Sequence, residues 1–214
     1  MGNSAVPSTT EAEILESVTG VTSDERETKI NMGGMNLMNY KISGGQSGYG
    51  EEAAAVGSGD GHDIRRVVMV CVSGSKTSSE QVVDKSVKMV LNKNSDLVIL
   101  LHVRKSNENC GYTGQDEFIP GQADMNNTFK AESYEILTNY GNKLKNLGYV
   151  IRAISVAGDD PGSEIAKKVS ELSIDLLVVG KPEKSGISYF LSGNSCEKLF
   201  KQCDCTITLI KIDQ

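Results

Sequence analysis

The chain has 214 residues and a net charge of −6, enough for one domain of ordinary size with a long appendage. An acidic balance gives non-specific nucleic-acid binding no electrostatic support, and no apolar run approaches the ~20 residues that span a bilayer. The five cysteines (71, 110, 196, 203 and 205) are odd in number and mostly embedded in strand or helix patterns, so a reduced, cytoplasmic compartment is expected. The N-terminus lacks the basic start and apolar block of a secretory leader. Met1-Gly2-Asn3-Ser4 invites myristoylation, but Val6 stands where that motif wants Ser or Thr, so neither a lipid anchor nor a membrane partner is expected.

Residues 1–63 differ in texture from the remainder. They carry ten of the 28 acidic residues, three basic ones (Arg26, Lys29, Lys41) and half of the glycines. Such a segment buries too little apolar surface to offset its ordering entropy, and we expect a mostly disordered acidic, Gly-rich tail. Ser8 to Glu11 has the S-x-x-E form of a capping box ahead of Ile14, Leu15 and Val18. That short helix could dock a protein partner, although a frayed local helix is the simpler reading.

From Ile64 to Gln214 the pattern becomes that of one folded domain. Arg66 to Val72 reads as a buried strand ended by Ser73-Gly74-Ser75, and Ser78 or Ser79 caps a helix marked by Val82, Val83, Val87, Val90 and Leu91. Leu97 to Val103 is a second buried strand. A loop is expected over 104–125, then a helix from about Asn127 that stops at Gly148. Tyr149 to Val156 is the third strand, and Asp159-Asp160-Pro161 opens a helix carrying Ile165, Ala166, Val169 and Leu172. Leu176 to Val179 is the fourth strand, followed by a loop with glycines at 180, 186 and 193 and a helix from Cys196 to Lys201. Thr206 to Ile212 closes the series. Strands alternating with helices predict a parallel α/β sheet with helices on both faces. Strand, glycine loop and helix start is the geometry that presents backbone N–H groups to a phosphate, beyond the carboxyl ends of the strands.

No nucleophile–base pair or metal cluster is legible. His102, inside an apolar run, reads as a hydrogen-bonded structural histidine, and Cys203-x-Cys205 matches neither zinc nor thioredoxin spacing. Cys110, in the long loop, is the cysteine expected to be accessible. Val72 to Thr77 has the Lys-Thr of a P-loop but lacks its glycines, with Ser75 and Val70 in their places.

Over Arg65 to Lys211 the chain resembles the universal stress protein family. Val70-Cys71-Val72-Ser73-Gly74-Ser75 resembles its V-P-V-D-G-S turn, and Leu101-His102-Val103 its L-H-V strand end. Gly158-Asp159-Asp160-Pro161 through Ile165 resembles its G-x-P…I helix entry. Asp175 to Gly180, Ser185-Gly186 and Gly193 resemble its closing signature, and Cys203-Asp204-Cys205-Thr206-Ile207 sits at its last strand. The resemblance implies a five-stranded, adenine nucleotide alpha hydrolase-like sheet. It also implies an ATP or AMP site, with Mg²⁺, at Ser73, Val103, Gly180, Lys181, Gly193, Asn194 and Ser195. Nucleotide-binding members carry G-x2-G-x9-G-[ST] and an aspartate after the first strand. Here Glu183 replaces the second glycine, Asn194 the Ser/Thr and Ser73 the aspartate. A glutamate beside the phosphate path adds like charge and a Cβ, so nucleotide binding is expected to be weak or lost. The resemblance further implies a homodimer through the last strand, at Thr206, Ile207, Thr208, Leu209 and Ile210, and a role in stress signalling; the lack of a legible catalytic constellation argues against a dedicated enzyme. Slow nucleotide hydrolysis or phosphotransfer is the alternative. It would need Asp159 or Asp160 as a metal ligand, although both read more simply as helix caps. A non-nucleotide scaffold is the third reading.

Overall fold

The computed structural model describes residues 26–30, 64–106, 122–182 and 193–213, with side chains for all of these except 122–126, 182 and 193–196. Strands and helices run in the order β1 (Glu27–Ile30), β2 (Arg66–Val72), α1 (Lys76–Met89), β3 (Asp96–Arg104), α2 (Gln122–Asn146), β4 (Val150–Ala157), α3 (Pro161–Glu171), β5 (Leu176–Pro182), α4 (Gly193–Gln202) and β6 (Thr206–Ile212). They build one sheet in the order β1-β4-β3-β2-β5-β6. Every pairing is parallel except β1 with β4.

Side chains alternate between the faces of the sheet, and here both faces are covered. Met69, Cys71, Ile99, Leu101, Leu177 and Val179 face α3 and α4 and meet Ile165, Val169 and Leu199. Val68, Val70, Leu100 and Val178 face the other way, onto Val82 and Val83 of α1 and Leu137 and Leu144 of α2. This double burial explains why β2, β3 and β5 read as continuous apolar runs. Gly148 ends α2 with φ +87°, a left-handed conformation that costs glycine little.

The sheet has six strands where five were expected. The sixth, β1, comes from the segment read as a tail; apart from Arg26 and this strand, residues 1–63 lie outside the described residues. Glu27 pairs with Val156 and Ile30 with Ala153, and the Ala157 N–H donates to the Arg26 carbonyl at 2.7 Å. Ile30 is buried with the α2 residues, while Glu27 on the opposite face joins Lys168 of α3.

Helix starts also moved. Ser75, not Ser78 or Ser79, is the N-cap of α1, accepting from the Ser78 N–H. α2 begins at Gln122, five residues before its expected start and inside the stretch expected as a loop; residues 107–121 lie outside the described residues. Gly180 and Lys181 lie within β5, and Gly193 opens α4, so neither glycine is a loop residue.

The amino end of the sheet is clamped by charge. The Arg66 guanidinium donates to the buried Asp96 carboxylate through Nε at 3.0 Å and Nη2 at 2.6 Å. The Asn92 N–H donates to Asp96 Oδ2 at 2.7 Å, and the Val67 N–H to Asp175 Oδ2 at 2.7 Å. The hydrogen bond to Asp96, against the opposing effect of burial, raises the Arg66 pKa above its ordinary value.

Candidate functional site

β2 is flanked by β3 on one side and β5 on the other, so the crossovers leave it in opposite directions. A crevice beyond the carboxyl ends of the strands is the position where such sheets take ligands. Ser73, immediately after β2, and Gly180, near the end of β5, line one small cavity there with Cys71, Ser78, Ser79, Val82 and Ile212. Its volume is about 10 Å³, room for roughly one water molecule.

Serines tie the turn after β2. The Ser73 N–H donates to Ser79 Oγ at 2.8 Å, and that hydroxyl donates back to the Ser73 carbonyl at 2.8 Å. The Ser75 N–H donates to Ser73 Oγ at 3.3 Å. Ser79 is fully buried, so its hydroxyl completes the backbone bonding that a buried turn requires. Ser73 therefore presents a short hydroxyl, already engaged, where an aspartate would present a charge.

Gly180 has a packing role. A Cβ built there would lie 2.6 Å from Val82 Cγ2 and 2.6 Å from Ile212 Cδ1, so glycine lets α1 and β6 close over the end of β5 without either side chain giving way. Lys181, the next residue, is exposed. Val103 is 7% exposed and belongs to the core facing α3 and α4. Gly193, Asn194 and Ser195 form the first turn of α4, whose backbone N–H groups have no partner within the helix. Their side chains, and Glu183, Ser185 and Gly186, lie outside the described residues.

A polar link absent from the sequence reading joins the start of α3 to the middle of α4. Lys198 of α4 donates to Asp160 Oδ2, and Ser163 Oγ donates to the same oxygen at 2.7 Å. The Lys198 ammonium first, and the Ser163 hydroxyl second, hold the Asp160 carboxyl below its ordinary range. Asp160 occupies the N-cap position of α3, as expected, but gives its side chain to these partners rather than to the helix N–H groups. Asp159 Oδ1 accepts from Ser106 Oγ at 2.8 Å. Among the described residues no group of three or more His, Cys, Asp or Glu could hold a metal ion.

His102 Nδ1 lies 2.7 Å from Ser133 Oγ, which donates to Ser155 Oγ at 2.6 Å. A serine and histidine at this distance have the form of a nucleophile and base, yet Ser133 is 0% and Ser155 3% exposed. With no reach to substrate, the chain of groups serves to fix α2 on the sheet, in line with the structural reading. Burial, helped by the Arg104 charge, pushes the His102 pKa down to about 4, so the ring is neutral near pH 7. Burial likewise raises the thiols of Cys71 and Cys203, the latter to about 11; Cys110 lies outside the described residues.

β6 lies at the sheet edge, where the family resemblance put it. Thr206 and Leu209 are exposed, Ile207 and Thr208 half-buried. The Ile210 side chain is buried towards α1, so at that position the backbone alone faces outward. No helix among the described residues is long and apolar enough to cross a membrane.

Comparison with known proteins identifies this arrangement. The sequence model of the universal stress protein family matches residues 65–211. Universal stress protein MJ0577 of Methanocaldococcus jannaschii is 22% identical over 145 residues, covering 63% of this chain and 89% of that protein. The solved structure of MJ0577 superposes with a TM-score of 0.56 at 21% identity, over 70% of this chain and 97% of that one. A universal stress protein family structure from Burkholderia pseudomallei gives a TM-score of 0.50 at 14% identity, over 72% of this chain and 98% of its own.

Proposed function

Because the chain belongs to the universal stress protein family across residues 65–211, we propose that it is a signalling module of that family whose adenine-nucleotide site is degenerate. The observation that carries this reading is the turn after β2. Ser73 stands where nucleotide-binding members have an aspartate, and its backbone and hydroxyl are already tied to Ser79 and Ser75. A hydroxyl so engaged offers neither the charge nor the acceptor capacity of a carboxylate. Glu183 and Asn194 depart from the family's phosphate signature in the same direction. Dedicated catalysis has little to work with. Asp159 and Asp160 are engaged with Ser106, Ser163 and Lys198, and the Ser133–His102 pair is enclosed.

Calorimetric titration of the full chain with ATP and Mg²⁺ tests the reading. The wild-type chain should give no heat of binding at micromolar concentrations, and Ser73→Asp/Glu183→Gly/Asn194→Ser, which restores all three family positions, should gain it. Micromolar binding by the wild-type chain would overturn the degenerate site, and phosphate release would favour the hydrolase reading.

A second reading concerns assembly. Among the described residues β6 has no strand partner on its outer side, with Leu209 37% exposed beside it, and such an edge is a template for strand pairing. Homodimerisation through Thr206–Ile210 is the association we propose, and a proline at an outward-facing position of β6 should shift sedimentation toward monomer. Such a module works in the cytoplasm through protein contacts rather than through nucleic acid or membrane.

A further inference from the structure

The opposite edge of the sheet is built differently. Without β1, the outer edge of β4 would expose the backbone of Ala153 to Val156 in the same way that β6 does. Four residues close it, and side chains on both faces of the sheet hold them there. On the α2 face, Ile30 is 5% exposed among Leu137, Tyr140 and Leu144. On the α3 face, the Glu27 carboxylate accepts from Lys168, whose side chain is only 9% exposed, and Arg26 lies 3.6 Å from Glu164.

Lys168 is the informative residue. A lysine this deeply covered needs compensating charge, and it has two carboxylates, Glu171 on its own helix and Glu27 from β1. Burial by itself would lower the Lys168 pKa, but its bonds to Glu171 and Glu27 outweigh that effect and raise it. The cation therefore recognises an acid at one position of the incoming strand, and the α2 face recognises a branched apolar residue three positions later. Glu27 and Ile30 meet both requirements because an odd spacing puts them on opposite faces.

The strand itself is short and remote in sequence from the domain it joins. It has four residues, and 33 residues separate Ile30 from Ile64. Short elements with few ladder bonds open at a small fraction of the global unfolding free energy. Strand addition at an edge combines backbone bonding for affinity with alternate side chains for specificity, and both are present here.

We propose that the outer edge of β4, with Lys168 and the α2 face, is a strand-acceptor site for an extended acid-x-x-branched-apolar segment running antiparallel to β4, filled in cis by Glu27–Ile30. Cis occupancy closes this edge and leaves β6 as the edge open to pairing. The site does not depend on whether β6 dimerises or whether a nucleotide binds.

A fluorescent peptide spanning residues 24–32, titrated by anisotropy against the full-length chain and against Glu27→Lys/Ile30→Asp, tests the proposal. The variant, whose own strand no longer fits, should bind the peptide at least tenfold more tightly than the wild-type chain. Equal binding by the two, or binding by neither, would overturn it. A second arm uses Lys168→Glu in that variant background. It should lose the native peptide and prefer one with lysine at the Glu27 position, and an unchanged preference would also overturn the proposal. Circular dichroism of each variant confirms the fold before titration; should Glu27→Lys/Ile30→Asp unfold, the wild-type chain and Lys168→Glu alone carry the same preference test.

Discussion

The two ends of the sheet handle polar groups in opposite ways. At the amino end, Arg66, Asp96 and Asp175 bind one another or strand backbone, and Asp96 is 0% exposed. At the carboxyl end the turn after β2 carries only serine hydroxyls, and the charged pair Lys198–Asp160 is about two-fifths exposed on each side; Arg104, buried at the end of β3, is the exception there. Full charges under cover cannot be left unpaired, so the amino end tolerates little change and acts as a clamp. Hydroxyls and exposed pairs leave room to vary.

Removing a partner at the amino end should have the largest effect. Asp96→Ala leaves the Arg66 guanidinium and the Asn92 N–H without their acceptor, and we expect a loss of about 3 kcal/mol in urea unfolding, the low end for a buried pair because Arg66 is partly exposed. A loss under about 1 kcal/mol would remove the distinction between the two ends, since that is the scale of an exposed pair.

His102 gives a pH test nearer the carboxyl end. Its folded pKa of about 4 lies below the ordinary 6.5, so its contribution is complete above 6.5 and is lost as pH falls toward 4. Up to about 3 kcal/mol is involved at the standard conversion of ~1.4 kcal/mol per pH unit. The stability difference between the wild-type chain and His102→Asn should therefore shrink from pH 7 to pH 4 and stay flat above 7. A flat difference throughout would mean that the ring is not desolvated.

Gly180→Ala sharpens the comparison with the smallest effect. The added Cβ meets Val82 and Ile212, both ends of side chains, and overpacking of this kind costs about 1–3 kcal/mol. We expect the low end, with α1 or β6 shifting slightly. A neutral substitution would argue that this glycine is kept for ligand access rather than for packing.

What the sequence revealed follows the range of the interactions. β2, β3 and β5 were legible because burial on both faces leaves an unbroken apolar run in each. β1 was not legible. Glu-Thr-Lys-Ile carries no strand signal of its own, and it is a strand because β4 and Lys168, more than 120 residues away, make it one. The start of α1 was ambiguous because Ser75, Ser78 and Ser79 are all good caps; burial decided it by turning Ser79 inward onto Ser73. Ser73 and Gly180 were legible as strand-end residues of neighbouring strands, and the two line one small cavity. Val103 is core, and the Lys198–Asp160 link had no local signal because a lysine on a helix face is ordinarily solvated.

One buried group has a practical use. Cys71 lies in the middle of the sheet at 1% exposure, and burial, with Cys203 and Cys205 nearby, raises its thiol pKa far above the ordinary value. A thiolate-selective reagent has neither a path to this sulfur nor an ionised target while the strands are together. Its rate of modification therefore times the opening of the sheet, giving the protein a built-in clock for its own native-state lifetime.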